Sequence, residues 1–182
     1  MGQALSKLIM KKEMLSDLPD FHCPVGYRFR HFQPGDERNW EDLIRHSFTR
    51  EVIFADKIGD HVPCYTDRFL FICRGEQPVA TATGWETGSG DNKDWYLHMV
   101  GVLPEYSGKG LGFAASLAAL HKIREAGGEV ALLETDDFRM PAIRIYLKLG
   151  FQPVYIDDSH PGRWERILQF NLRAAVRPIR FI

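Results

Sequence analysis

Val102-Leu103-Pro104-Glu105-Tyr106-Ser107-Gly108-Lys109-Gly110-Leu111-Gly112 stands between a strand-like run, Trp95 to Leu103, and an Ala- and Leu-rich run, Phe113 to Ala126, closed by Gly127-Gly128. Three glycines at alternate positions between a strand and a helix let backbone N–H groups approach an anion closely. The positive end of the following helix dipole adds to that attraction. A phosphate or pyrophosphate is the natural ligand; the alternative is a flexible connecting turn. Two nucleotide motifs are excluded. A Walker loop needs Lys-Ser or Lys-Thr, and Gly112 is followed by Phe113. The dinucleotide fingerprint GxGxxG needs its last glycine at position 113, which is again Phe113.

Downstream, Val130 to Leu133 reads as a short buried strand. Ala142, Ile145, Tyr146 and Leu149 recur at helical spacing, and Gly150 stops that helix. Phe151 to Ile156 and Arg166 to Phe170 read as two further strands, joined by a polar loop, Asp157 to Trp164. Upstream, Tyr27 to Phe32 alternates as a first strand. Pro34-Gly35-Asp36 is a turn and helix N-cap before the apolar stripe Trp40, Leu43, Ile44 and Phe48. Residues 55–68 read as irregular. Phe69 to Cys73 and Val79 to Trp85 form an antiparallel hairpin, and the polar stretch Thr87 to Asp94 reads as a loop. The fold class expected is α/β, in its mixed α+β form, with a strand feeding a glycine-rich turn and a helix at its centre.

The 182 residues favour one domain. Hydrophobic residues at 45 % and charged residues at 26 % are the balance of a soluble globular protein. With 23 Lys and Arg against 24 Asp and Glu, the net charge of −1 argues against a dedicated nucleic-acid binder. No apolar run approaches the roughly 18 residues of a membrane span. Cys23, Cys64 and Cys73 are too few, and odd in number, for a disulfide framework, which makes a reducing cytoplasm the simplest location. Met1 to Lys12 lacks the apolar core and cleavage site of a secretory signal. Gly2 through Ser6 fits the short myristoylation pattern, which is brief enough that coincidence is the better reading.

Taken with the glycine turn, the segment Thr135 to Phe151 resembles the GNAT family of acyl-CoA-dependent N-acetyltransferases. Val102-x-Pro104 followed by the glycines matches the family's CoA pyrophosphate motif, and Ala142 to Phe151 matches its later A-x-x-x-Y-x-x-x-G-F motif, in the same order and spacing. The resemblance runs from about Tyr27 to Phe170. It departs from the family at Tyr106 and Ser107, where Arg or Gln is common, and at Arg139, where Asn is usual.

That resemblance implies a GNAT-type acyl-CoA N-acyltransferase fold: a twisted mixed sheet flanked by helices and splayed between its fourth and fifth strands. It implies acetyl-CoA as co-substrate, with no metal, and direct attack by a primary amine on the thioester. Val100, Gly101 and Val102 would pair with the pantetheine arm. Ser107, Gly108, Lys109, Gly110, Leu111, Gly112 and Phe113 would hold the pyrophosphate, and Arg139 a CoA phosphate or ribose, unless it faces solvent. Gly101 suits close approach of a ligand or, alternatively, marks a strand bulge. Tyr146 matches the family's general acid; a phenol of pKa about 10 carries its proton at neutral pH, while a core aromatic is the other reading. His98, on the face of Tyr96 and Val100 by the period of two, is the candidate base, as some amine-acetylating members of the family use a histidine on that strand as a proton relay through water. A satisfied core histidine is equally consistent, and Glu134 and Glu86, at strand ends, are competing carboxylates.

Remaining features are weaker. His61 and Cys64 lack the other ligands of a closed zinc site. No G-x-S-x-G elbow is present, which disfavours a hydrolase. The expected organisation is an N-terminal arm over 1–24, the acetyltransferase domain over 25–172 and a tail over 173–182. The expected partner is an amine acceptor, with no nucleic acid and no membrane, and a homodimer is an open arrangement. The alternatives are a non-catalytic acyl-CoA-binding module and a nucleotide-phosphate binder.

Overall fold

The computed structural model describes residues 5–48, 53–54, 67–89, 92–171 and 179–180. Its strands are β1 (Leu8–Lys12), β2 (Arg28–His31), β3 (Phe69–Arg74), β4 (Gln77–Ser89), β5 (Asn92–Val102), β6 (Ala131–Thr135), β7 (Gln152–Tyr155) and β8 (Ile179–Arg180). Its helices are α1 (Glu37–Phe48), α2 (Leu111–Glu125), α3 (Met140–Lys148) and α4 (His160–Asn171). All eight strands share one sheet in the order β2-β3-β4-β5-β6-β1-β7-β8. β2 to β5 form an antiparallel meander. β6 runs parallel to β5, and β1 runs antiparallel to both of its neighbours. The mixed α/β class expected from the sequence is the one observed.

Helices cover both faces, and two glycines show how closely. A Cβ on Gly84 would lie 2.9 Å from Ile123 and 3.3 Å from the Ala119 carbonyl, both on α2. A Cβ on Gly101 would lie 3.0 to 3.1 Å from Leu43, Ser47 and Ile44 of α1. Gly101 pairs with Thr81, an odd number of residues from Gly84 along β4, so α1 and α2 lie on opposite faces. Under α1, Trp40 meets the rings of Phe54 and Phe69, and Phe32 stacks on Phe69 at 4.7 Å. α2 is buried around most of its circumference, as its Ala- and Leu-rich composition demands.

Three expected assignments change. Leu8–Lys12, inside the expected arm, is a strand at the interior of the sheet, with Leu8 and Met10 fully buried. Five residues carry too weak an alternation to be told from an arm when their partners are more than a hundred residues away. Thr87 to Asp94 is not a loop throughout, since Thr87↔Asp94 and Gly88↔Lys93 continue the β4–β5 ladder. Backbone pairing needs no apolar side chains, so a hairpin can extend past its core. Arg166 to Phe170 is helical, within α4. His160, Arg163, Trp164 and Ile167 are buried at i, i+3, i+4 and i+7, a period hidden by the polar residues between them. His61 and Cys64, most of the irregular stretch, and Gly2 of the acylation pattern lie outside the described residues.

Candidate active site

β5 and β6 share one register pair, Tyr96↔Leu132, and separate beyond it. On the other side of β5 the ladder contains a bulge. Thr83 pairs with His98 and Thr81 with Gly101, so Met99 and Val100 together oppose Ala82. Met99 is the one non-glycine at positive φ among the described residues, at +49°. Such a conformation costs on the order of 1 kcal/mol or more for an L residue. The bulge also reverses the strand's phase. His98 and Gly101 face α1, whereas Leu97, opposite Gly84, and Val102, opposite Ala80, face α2. The alternation expected to run from Tyr96 through His98 to Val100 therefore holds as far as His98.

The bulge precedes Gly101 instead of resting on it. The missing side chain at Gly101 makes room for α1, not for a ligand on that face. Leu103 donates to the Val79 carbonyl at 2.9 Å. Hydrogen-bonded and non-bonded pairs alternate in an antiparallel ladder, so Val102 turns its N–H and C=O away from β4 into the gap. The Ser47 hydroxyl lies 2.9 Å from that carbonyl and 2.7 Å from the Leu43 carbonyl, tying α1 to the edge.

The glycine turn leaves β5 through Pro104–Tyr106, a single 3-10 turn. Gly108 and Gly110 both have φ of +76°, and a Cβ on either would meet nothing within 4 Å. Gly112 is a glycine for a different reason: a Cβ there would lie 3.0 Å from Ile145 and 3.4 Å from Val102. Gly110 caps α2 with no side-chain hydrogen bond, so the helix's first N–H groups open onto an exposed turn. Ser107, Gly108, Lys109 and Gly110 are exposed, Leu111 and Gly112 are buried, and Phe113 is half-buried with Lys148 over its ring. Lys109 folds back, donating to the Glu105 carbonyl at 3.2 Å and lying over the Tyr106 ring. Exposed N–H donors, and open space where a side chain would intrude, fit a pyrophosphate held by backbone.

Where β5 and β6 part, a cleft of about 400 Å³ opens between β4, β5, the end of β6 and α3. Tyr146, His98, Val100 and Arg139 all line it. Tyr146, buried on α3 with its ring 6.0 Å from that of Phe151, has its phenol pushed up to about 12 by burial, against a smaller lowering by Arg139. His98 is half-buried, its ring 5.5 Å from that of Trp85. Arg139, at the N-cap of α3, does not simply face solvent. Its guanidinium lies 3.7 Å from the Phe48 ring centroid, and its Nε 3.7 Å from Asp136.

The two competing carboxylates part company. Glu86 is bound by Lys93 at 2.7 Å and Arg68 at 2.9 Å, and those hydrogen bonds hold its carboxyl below the usual range. Each of its two oxygens is taken up by one of those cations. Glu134 lines the cleft. The cleft also includes residues that sequence reasoning missed: Trp85, Thr135, Asp136 and Lys7, the last two paired at 2.6 Å. Trp85 follows from its register with Tyr96. Lys7 carried no sequence signal, because its place depends on β1 entering the sheet beside β6.

The model of the acetyltransferase (GNAT) family matches residues 30–151, more than half of the chain. The chain belongs to the GNAT family. The family match spans β2 through α3 and so contains the glycine turn, the bulged strand and Tyr146. A mycothiol acetyltransferase from Thermobispora bispora is 28 % identical over 162 residues, covering 81 % of this chain and 54 % of that protein. One from Nocardia farcinica is 41 % identical over 64 residues, 35 % of this chain and 21 % of that protein. The chain thus spans about half the length of the first of these relatives, and less of the second. Among solved structures, a GCN5-related N-acetyltransferase from Sphaerobacter thermophilus superimposes with a TM-score of 0.64 at 22 % identity, over 81 % of this chain and 48 % of that one. The GNAT fold expected from the sequence is the fold observed. No helix among the described residues is long and apolar enough to cross a membrane.

Proposed function

We propose that this chain is an acetyl-CoA-dependent N-acetyltransferase that acts on a primary amine, with both substrates bound together. The observation that carries the reading is the meeting of Tyr146 with the bulged edge of β5 in one cleft, in a chain whose glycine turn at Gly108 to Phe113 offers a backbone cradle. Acetyl-CoA supplies the acyl group activated as a thioester. The outward backbone of Val102 is suited to align a pantetheine amide, and the first N–H groups of α2 to hold the pyrophosphate. Arg139, committed to Phe48 and Asp136, is better suited to shaping the cleft than to reaching a distant phosphate.

Tyr146 keeps its proton at every physiological pH, because burial raises its phenol to about 12. It is therefore a donor toward the sulfur that leaves with the C–S electron pair. His98, across the cleft, takes the proton that the amine nitrogen loses as it bonds to the carbonyl carbon, directly or through water. Relatives named mycothiol acetyltransferase make that acceptor one to include in any panel. The cytoplasm remains the location we expect.

The test is release of free thiol from acetyl-CoA in the presence of a panel of primary amines. Amine-dependent release is the expected result. CoA binding without turnover on any amine would instead make the chain an acyl-CoA-binding module. A nucleotide affinity that CoA fails to displace would favour a nucleotide-phosphate binder.

A further inference from the structure

The last two residues of β6 place polar groups on either side of the gap. Tyr96 pairs with Trp85 on one side and Leu132 on the other, so Trp85, Tyr96 and Glu134 share one sheet face, together with His98. Glu134 is exposed within the cleft wall, and its carboxylate forms no hydrogen bond or ion pair among the described residues. Two neighbouring acids are neutralised. Asp136 lies 2.6 Å from Lys7 and 3.7 Å from Arg139, and Glu86 is held by Lys93 and Arg68. Burial first, then the charges of Asp94 and Glu134, raise the Tyr96 phenol, so the field of Glu134 is felt across the gap.

Thr135 supplies a second, independent observation. It is 3 % exposed, lines the same cleft, and its hydroxyl has no hydrogen-bond partner. A buried hydroxyl left unmatched is destabilising. A polar substrate group entering the cleft would remove that cost. An uncompensated carboxylate beside two aromatic rings is a recognition set for an organic cation, combining charge with ring quadrupoles.

We infer that Glu134, with Trp85 and Tyr96, selects acceptors that carry a second positive charge beyond the reacting amine, and that Thr135 hydrogen-bonds the acceptor within the cleft. The acceptor class is thus a diamine or longer polyamine in preference to an amine bearing a carboxylate. This inference rests on the acetyltransferase reading above, since it names the acceptor for that site.

The test compares cadaverine, pentylamine and aminocaproate, which share an aliphatic amine and differ in the charge at the far end. The native protein should favour cadaverine over aminocaproate in kcat/KM by about fivefold or more, the upper range for one partly exposed charge pair. Glu134→Gln should bring that ratio close to one, and Glu134→Lys should invert it. Glu165→Gln, the same charge change on the exposed side of α4, should leave the ratio as it was. Calorimetry with cadaverine in the presence of CoA gives a reading independent of turnover, with an expected loss of about fivefold in affinity for Glu134→Gln. A native ratio near one, or a ratio and cadaverine affinity that survive Glu134→Gln, would overturn the inference. If no amine is acetylated, the acetyltransferase reading fails, and the calorimetry alone decides whether Glu134 holds a cation.

Discussion

At Tyr146 core packing and a place on the cleft wall fall to one residue. The ring is buried against Phe151, and the same residue lines the cleft. Tyr146→Phe separates packing from chemistry because it removes a hydroxyl and keeps the ring. Its expected outcome is a fall of about a hundredfold to ten-thousandfold in the rate at saturating acetyl-CoA, with CoA affinity and denaturant midpoint close to native. Steady-state kinetics beside calorimetry measure both. The helical spacing of Ala142, Ile145, Tyr146 and Leu149 made this residue legible in the sequence, as the alternate glycines did for Gly108 and Gly110. The reasons for Gly101 and Gly112 were not legible, since Leu43, Ser47 and Ile145, which they make room for, lie tens of residues away. Glu86 and Glu134 look alike as strand-end carboxylates. Only Arg68 and Lys93 distinguish them, and pairing of that kind depends on which side chains the sheet brings together.

At the scale of elements, an ion pair ties α4 to the turn after β6. Arg163, nearly fully buried, donates to Asp137 at 2.5 Å and to the Ser6 carbonyl at 2.8 Å. The hydrogen bond from Arg163 holds the Asp137 carboxyl below its usual range, with burial acting in the opposite sense. A carboxyl whose pKa is depressed in the folded state stabilises the fold fully above its unfolded value, near 3.9, and loses that contribution as pH falls through the folded one. Asp137→Asn should therefore lower stability at neutral pH and flatten the decline of stability below about pH 4. Denaturant titrations at several pH values check the slope. The bulge in β5 belongs to the same scale. It leaves no mark on the alternation of Trp95 to Leu103, yet it turns Val102 toward α2 and leaves His98 facing α1. An inserted residue is visible only against the strand it fails to match.

Across the whole molecule, the cleft depends on a strand from the start of the chain. β1 lies between β6 and β7, and Lys7, just before it, pairs with Asp136 at the cleft wall. Leu8→Ala should cost about 2–5 kcal/mol, the range for deleting a buried Leu side chain, and should lower catalytic activity through displacement of β6. Chemical denaturation with kinetics on the folded fraction checks both parts. From the sequence alone come the mixed α/β class, the hairpin of β3 and β4, the glycine turn and its helix, and the resemblance that names Tyr146. All are local signals, because helix periodicity, strand alternation and turn chemistry are carried by residues within a few positions of one another. Only the tertiary structure decided that Leu8–Lys12 is an interior strand, that Arg166 to Phe170 is helical, that Glu86 is neutralised while Glu134 lines the cleft, and that Thr135 has an unmatched hydroxyl there. Pairing across the sheet, burial and charge neutralisation are set by contacts between residues far apart in the chain, which no local pattern encodes.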